Sequence, residues 1–238
     1  MTPNYEGKVA LVTGARRGVG QLIAKHFLAH GAQVVGFSRH EEDGDAHPHY
    51  HRVVVDVGDA ESVMRGFEWV RKQLAHVDIV INNAAVLTSQ YSMIMAASSA
   101  MAMVQTNLLG TFLVSREAAK LMKRSKWGRI INIGSMAASL DPVGDSVYAA
   151  TKAAVSTLAQ VMAKEFAPFN VTCNTLGITA IETDMLSQLP RDKIDAVIAA
   201  LPLPRFATAD DILNVVDFFA AERSGYITAQ TVFLGGVH

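Results

Sequence analysis

Residues 8–20 read Lys-Val-Ala-Leu-Val-Thr-Gly-Ala-Arg-Arg-Gly-Val-Gly, and this stretch decides the fold. Its first six residues, 8–13, are mostly apolar and predict a buried strand. The glycines that follow predict a tight turn into a helix that begins near Gly18. Glycines at such a turn let the backbone approach a pyrophosphate, and the free N–H groups at the helix start favour its negative charge. A turn without a ligand is the plainer alternative.

The rest of the chain alternates short apolar runs with longer segments of helical period. Strand–helix alternation with strands that are apolar on both faces predicts an α/β protein, a single domain over residues 1–238. We expect a doubly wound parallel sheet of seven strands with helices on both faces. The predicted strands are 8–13, 33–38, 52–56, 77–82, 129–134, 170–176 and 231–234. The predicted helices are 18–30, 60–74, 98–123, 147–166 and 210–221.

The composition excludes several classes of protein. Of the 238 residues, 50% are hydrophobic and 18% are charged, and 21 basic against 22 acidic residues give a net charge of −1. This is not the composition of a disordered chain, and it lacks the basic surplus that nucleic-acid binding needs. The one cysteine, Cys173, excludes an intrachain disulfide. Neither a signal peptide nor an apolar run of about 20 residues is visible, so we expect a cytoplasmic protein without membrane contact.

Four histidines lie close together around the segment between the second and third predicted strands. His40, His47, His49 and His51 lie there among acidic residues, a glycine and a proline. We interpret the segment as a polar surface loop. A metal site is the alternative, but structural zinc sites normally include cysteine or a wider spread of ligands. The predicted site therefore has no metal ligand.

The loop has the spacing Thr-Gly-x-x-x-Gly-x-Gly over residues 13–20. This spacing resembles the glycine loop of the classical short-chain dehydrogenase/reductase family, which has a Rossmann fold. Tyr148 and Lys152 resemble the family's Tyr-x-x-x-Lys pair, and their spacing places both side chains on one helix face. We expect the lysine ammonium to lower the pKa of the phenol, so that the pair can act as a general acid and base.

Two further positions extend the resemblance. Ser135 ends the fifth strand, 148 − 135 = 13 residues before Tyr148, where the family places its catalytic serine. A hydroxyl there can polarise a substrate carbonyl. Asn107, in the long helix, matches the family's fourth catalytic member, which holds a water beside the lysine. The resemblance thus implies the catalytic residues Asn107, Ser135, Tyr148 and Lys152.

The resemblance also implies a nicotinamide cofactor. Residues 82–85, Asn-Asn-Ala-Ala, resemble the family's Asn-Asn-Ala-Gly, and residues 226–230, Tyr-Ile-Thr-Ala-Gln, resemble its Tyr-Ile-Thr-Gly-Gln ending. The implied cofactor-binding residues are Gly14, Arg16, Arg17, Gly18, Val19, Gly20, Ser38, Arg39, Asp56, Val57, Asn83, Ala84, Ala85, Tyr148, Lys152, Ile181 and Thr183.

The end of the second strand bears on the choice of cofactor. Ser38 stands where an enzyme specific for NAD has an acidic residue for the ribose 2′-hydroxyl, and Arg39 follows it. Arg16 and Arg17 add two cations in the glycine loop. Because a guanidinium matches a phosphate bidentately, we expect NADP(H) to be preferred, with NAD(H) as the alternative.

The resemblance implies an oxidoreductase that interconverts a ketone and a secondary alcohol by hydride transfer. A 3-oxoacyl-[acyl-carrier-protein] reductase is the narrower alternative. The basic run 123–126 could bind an acidic carrier protein, which favours this alternative. Pro168-Phe169, where those reductases carry a docking arginine, argues against it. A non-catalytic sensor or scaffold that binds NADP(H) is the other alternative. This alternative is supported by Ile178-Thr179, which stand where the family has Pro-Gly and so change the allowed backbone angles. Gly177 could compensate by moving the flexible point of the backbone upstream.

Two apolar segments predict contacts beyond the sheet. Residues 186–206 are apolar at helical spacing, which predicts a lid over a small-molecule carbonyl or alcohol substrate, with plain packing as the alternative. Residues 96–114 are apolar on most faces and need burial that their own sheet cannot provide. Together with the helix after Tyr148, they predict a homotetramer or otherwise a homodimer.

Overall fold

A seven-stranded parallel sheet forms the centre of the protein. The computed structural model describes residues 3–40, 47–181, 191–199 and 201–237. The strand order is β3-β2-β1-β4-β5-β6-β7, and every neighbouring pair is parallel. The strands are β1 (Val9–Thr13), β2 (Gln33–Ser38), β3 (Tyr50–Val54), β4 (Ile79–Asn82), β5 (Gly128–Ser135), β6 (Val171–Ile178) and β7 (Thr231–Phe233). The predicted fold class is confirmed.

Helices cover both faces of the sheet. They are α1 (Gly18–Ala29), α2 (Ala60–Gln73), α3 (Ala97–Met103), α4 (Gly110–Ser125), α5 (Ala137–Leu140), α6 (Ser146–Phe166), α7 (Arg191–Ala199) and α8 (Ala209–Ala220), and a π-helical turn, Val104–Leu109, joins α3 to α4. Apolar side chains of α2, α4 and α6 pack on one face of the sheet. Those of α1 and α8, such as Phe27 and Ile212, pack on the other.

Two predicted boundaries differ from the structure. The third strand was expected at 52–56 but spans Tyr50–Val54, because its register pairs Val34 with Tyr50 and β2 ends at Ser38, opposite Val54. The long helix expected at 98–123 is divided by the π-helical turn. A π-helical turn adds a residue to one helical turn, which a period of 3.6 cannot reveal.

The histidine segment is partly strand. His51 lies in β3, where its Nε2 is 3.2 Å from Oε1 of Gln33, whereas His47 and His49 are exposed. In the described part of the chain, no three His, Cys, Asp or Glu side chains are arranged to hold a metal ion. None of the helices in the same ranges is long and apolar enough to cross a membrane.

Gly177 does not supply a flexible point, so that expectation is wrong. It lies inside β6, paired with Gly134 on one side and Phe233 on the other, and its φ is not positive. A Cβ at this position would overlap the ring of Phe233. The glycine therefore makes room for an aromatic ring from β7. β6 continues to Ile178, and the buried Thr179 follows it.

Ala229 stands in the left-handed backbone region, with φ of 61°, where the resembling family has glycine. An L side chain there costs about 1–2 kcal/mol. We expect Ala229→Gly to raise the free energy of unfolding by about 0.5–1 kcal/mol, because the relief of strain exceeds the added entropy of the unfolded chain. Urea unfolding measures this. The matched control is Ala221→Gly, at φ of −61°, which should lower stability. An unchanged or lower stability of Ala229→Gly would contradict the prediction.

Candidate active site

A cleft of about 230 Å³ opens beyond the carboxyl ends of the central strands. The strand order reverses between β1 and β4, and a crevice at such a point is where doubly wound folds bind ligands. The predicted site residues that line it are Gly14, Arg16, Arg17, Gly18, Val19, Ser38, Arg39, Val57, Asn83, Ala84, Ala85, Tyr148, Lys152 and Ile181. The sequence did not indicate Phe37, His40, Val55, Val86, Thr106, Ile133, Gly134 and Ile178, which also line it.

The loop between β1 and α1 requires its glycines. Gly14 and Gly18 have φ of 65° and 56°, in the left-handed region that favours glycine. Gly20, inside the first turn of α1, has a different reason: a Cβ there would overlap the carbonyl oxygen of Gly14. Gly20 does not line the cleft; because it has no side chain, α1 can approach the loop closely.

Hydrogen bonds fix this loop to the end of β4. The Thr13 hydroxyl accepts from the backbone N–H groups of Asn83 and Ala84 at 3.0 and 2.9 Å. The Asn83 amide donates to the carbonyl of Thr13 at 2.9 Å and lies 3.3 Å from that of Gly14. Asn83 thus joins the two strand ends that flank the cleft, which keeps the glycine loop in one conformation.

Exposed cations stand at the β2 side of the cleft. Arg16 and Arg39 line it, and neither forms an ion pair with a carboxylate in the described ranges. Ser38 lies beside them, and its hydroxyl donates to the carbonyl of His40 at 2.8 Å. A helix N-terminus with left-handed glycines on one side and guanidinium groups on the other fits a dinucleotide that carries several phosphates.

Tyr148, Ser135 and Lys152 meet at the other side of the cleft. The Ser135 and Tyr148 side chains share a hydrogen bond. Lys152 is buried, and its Nζ donates to the carbonyl of Ile133 at 2.7 Å. That Nζ lies 5.8 Å from the centre of the Tyr148 ring. The end of β5 and one face of α6 therefore bring a phenol, a hydroxyl and an amine together.

The titration of these groups differs from the expectation. Burial raises the pKa of Tyr148 to about 12; the Ser135 hydrogen bond opposes that shift, and the Asp145 charge adds to it. Burial lowers the pKa of Lys152 to about 8. The expectation of a lowered phenol pKa is wrong for this state, because the ammonium is held at the Ile133 carbonyl and desolvation dominates. Tyr148 is consequently a protonated phenol at neutral pH, which is a proton donor.

Asn107 is buried in the π-helical turn, away from the cleft lining. Its Oδ1 accepts from the backbone N–H of Val86 at 2.8 Å, and its Nδ2 donates to the carbonyl of Val86 at 3.0 Å and to the Thr151 hydroxyl at 3.1 Å. It thereby ties the chain after β4 to α6, one residue before Lys152. The Asn107 side chain thus fixes two segments that border the cleft and does not line the cleft itself.

Three other predicted residues lie outside the cleft lining or the described ranges. Ser135 does not line the cleft; it lies behind Tyr148, which does. Asp56 is exposed, and its Oδ1 accepts from the backbone N–H of Gly58 at 2.9 Å. Thr183 and the start of the predicted lid, residues 186–190, lie outside the described residues.

A glycine loop at a helix N-terminus beside a buried phenol and amine is the arrangement of a nicotinamide-dependent oxidoreductase of the doubly wound α/β class. A family model described as short chain dehydrogenase matches residues 8–194, and the chain belongs to this family. Its members act on CH–OH and C=O groups, so the protein is an oxidoreductase that interconverts a ketone and a secondary alcohol.

Curated relatives match nearly the whole chain. The 3-oxoacyl-[acyl-carrier-protein] reductase FabG of Escherichia coli is 34% identical over 98% of this chain and 98% of its own length. The protein of the same name from Pseudomonas aeruginosa is 33% identical with the same coverage. Among solved structures, the aldohexose dehydrogenase of Thermoplasma acidophilum has a TM-score of 0.88 and 26% identity, over 98% of this chain and 94% of that one.

Proposed function

We propose that this protein reduces a ketone with NADPH and that Tyr148 donates the proton. The observation that carries the proposal is the contact of Tyr148 with Ser135 at the edge of a glycine-loop cleft. When bound, the nicotinamide supplies or accepts the hydride. Tyr148 gives its proton to the substrate oxygen, and Ser135 hydrogen-bonds that oxygen as negative charge develops.

Lys152 and Asn107 support Tyr148 in this proposal. A Lys152 ammonium stabilises the tyrosinate that remains after proton transfer, because an opposite charge favours the ionised form. Lys152 lines the cleft and would also contact the cofactor ribose. Asn107 holds the chain around Thr151, next to Lys152. The role that the family gives Asn107, a water relay to the lysine, is part of the proposal.

The cofactor preference is also proposed. The loop glycines and Asn83 would hold the pyrophosphate, and Arg16 and Arg39 would hold the 2′-phosphate of NADP(H). No acidic side chain lines the described part of the cleft near Ser38, where NAD-specific enzymes use one to bind the ribose. The supporting relatives bear the name of a reductase, and a protonated Tyr148 can give the proton that reduction requires.

A change at Arg39 tests the cofactor preference. We expect Arg39→Ala to raise KM for NADPH about 10- to 100-fold and to leave KM for NADH within about twofold, because a charge-assisted hydrogen bond contributes about 1.5–3 kcal/mol. Steady-state kinetics with each cofactor measure this. Arg71→Ala, an exposed arginine on α2, is the control. Equal changes for both cofactors would exclude a 2′-phosphate contact.

The direct test of the proposed function is NADPH oxidation by the purified protein against a panel of ketones, β-ketoacyl thioesters and keto sugars. The panel includes keto sugars because one similar structure is an aldohexose dehydrogenase. Turnover that prefers NADPH and needs Tyr148 supports the proposal. Tight NADPH binding without turnover of any member would favour the sensor alternative.

A specific 3-oxoacyl-carrier-protein reductase is the second candidate, supported by the relatives of that name. The basic residues at the end of α4, Lys123, Arg124 and Lys126, could bind an acidic carrier protein. Against it, Phe169 replaces a docking arginine, and its ring lies 4.7 Å from Nζ of Lys123. Turnover of the β-ketoacyl thioesters alone would select this candidate.

We further propose a homotetramer, with a homodimer as the alternative. Apolar side chains on α3, the π-helical turn and α6 remain exposed in one chain, and their exposed fractions are 60% for Met101, 41% for Leu109 and 49% for Val161. Such faces need a partner to be buried. The lid is proposed for residues 186–206, in which Leu201 is buried and Leu203 is exposed.

A further inference from the structure

Asp145 is a buried carboxylate without a partner. It precedes α6, and only 8% of the residue is exposed. Its backbone is held, since its N–H donates to the carbonyl of Pro142 at 3.1 Å and its carbonyl accepts from Ala149 at 2.7 Å. Its side chain does not cap α6, and Oδ1 has no hydrogen-bond partner among the described residues. A charged oxygen removed from water without a partner is unfavourable, so this position requires an explanation.

The carboxylate lies on the Tyr148 side of α6. Residues 145, 148 and 152 are spaced by three and four positions, which places them along one side of the helix. The negative charge of Asp145 acts on the phenol, since it raises the pKa of Tyr148. Asp145 is absent from the lining of the glycine-loop cleft, as is Ser135. Asp145 and Ser135 are thus both close to the Tyr148 phenol, outside the set of residues that line this cleft.

The loop that leads to Asp145 contains two exposed apolar side chains. They are Leu140 and Val143, exposed by 40% and 70%. The neighbouring polar groups bond to one another: Gln90 donates from its backbone to the Gly144 carbonyl at 2.8 Å. No Lys, Arg or His of the described ranges forms an ion pair with Asp145. Within the described ranges, Oδ1 of Asp145 therefore has no donor.

We propose that Asp145 is a specificity-determining residue that accepts a hydrogen bond from the substrate, from a hydroxyl or ammonium group on the carbon next to the reacting carbonyl. The inference rests on the proposed reductase function and narrows its substrate class to ketones that carry such a donor. A ketone without one would leave the carboxylate buried and unpaired in the complex. A site with this penalty discriminates strongly against the analogue that lacks the donor.

Matched ketones test the proposal. The substrates are 2-butanone, 3-hydroxy-2-butanone and 3-amino-2-butanone, each reduced with NADPH. We expect kcat/KM for at least one donor-bearing ketone to exceed that for 2-butanone by about 100-fold or more. Asp145→Leu should abolish this ratio, because the acceptor for the substrate's donor group is removed. A ratio near one in the wild type, or a ratio that persists in Asp145→Leu, would overturn the proposal.

Two further variants complement Asp145→Leu: one is a control, and the other identifies the type of donor. Asp141→Asn removes a carboxylate from the same loop, at a φ of 46° that asparagine accepts, and it should keep the full ratio. Asp145→Asn keeps the size of the side chain and one acceptor oxygen but not the charge. If Asp145→Asn keeps most of the ratio of kcat/KM values, the substrate's donor is a hydroxyl. If Asp145→Asn loses the ratio, the donor is an ammonium group.

A binding measurement separates this inference from the reductase function. In the Tyr148→Phe protein with NADPH bound, NADPH fluorescence reports the dissociation constants of 2-butanol, 2,3-butanediol and 3-amino-2-butanol. We expect the diol or the amino alcohol to bind about tenfold or more tightly than 2-butanol, and a second change, Asp145→Leu, to remove the difference. Equal constants overturn the role of Asp145. A preference in binding without turnover of any ketone by the wild type contradicts the reductase proposal alone.

Discussion

Tyr148→Phe is expected to lower kcat for ketone reduction by about 10²–10⁴-fold, the range that a positioned proton donor contributes. The ring remains, so its packing against Met103 and Ala149 is kept. The dissociation constant for NADPH should change less than about threefold, because the phenol oxygen is one contact among many. Stopped-flow reduction and a fluorescence titration of NADPH measure the two quantities.

The matched control for this variant is Tyr226→Phe. Tyr226 is fully exposed, so the loss of its hydroxyl should leave both kcat and the free energy of unfolding unchanged. A Tyr148→Phe protein that keeps more than about a tenth of the wild-type kcat would show that another group donates the proton. In that case the buried phenol would serve only to hold Ser135 in place.

Lys152→Met is expected to have an effect of similar size, with a distinct pH signature. The substitution removes the cation that stabilises the tyrosinate and the donor to the Ile133 carbonyl, and we expect kcat to fall about 10²–10³-fold. In the wild type, kcat/KM for reduction should be level below pH 8 and decrease above it, because the pKa of Lys152 is about 8 and its charged form is lost as the pH rises. Tyr148, with a pKa of about 12, stays protonated over that range.

Rates across the pH range test this assignment. The Lys152→Met protein should lose the decrease above pH 8, since the titrating group is absent. Lys164→Met, an exposed lysine near the end of the same helix, is the control and should retain the wild-type profile. A decrease that persists unchanged in Lys152→Met would assign the titration to another group.

The local patterns predicted the fold and much of the site. The apolar runs predicted all seven strands, the third with shifted ends. The spacing of Tyr148 and Lys152 predicted one helix face for both, and the resemblance to the family predicted that they lie at the cleft. The glycine spacing predicted the loop because a left-handed φ and a close approach each require glycine, at Gly14 and Gly20.

Other parts of the site depend on contacts between distant residues. Phe37 and Ile133 line the cleft, yet in the sequence they are indistinguishable from the core residues around them. The pKa of Tyr148 depends on how deeply the fold buries it, which a spacing cannot report. Gly177 faces Phe233 only because β6 and β7 are neighbours, so the wrong interpretation of that glycine came from considering its own segment alone.

The strand order also has a consequence for how the chain folds. β1 pairs with β2 and with β4, so the first half of the sheet can form from the first third of the chain. The edge of β4 stays unpaired until β5, which follows the long helical region and begins at Gly128. Parallel pairing between segments that are far apart in sequence is slow, and an unpaired apolar edge promotes aggregation meanwhile. During synthesis, we expect the edge of β4 to remain exposed in this way until β5 has been made.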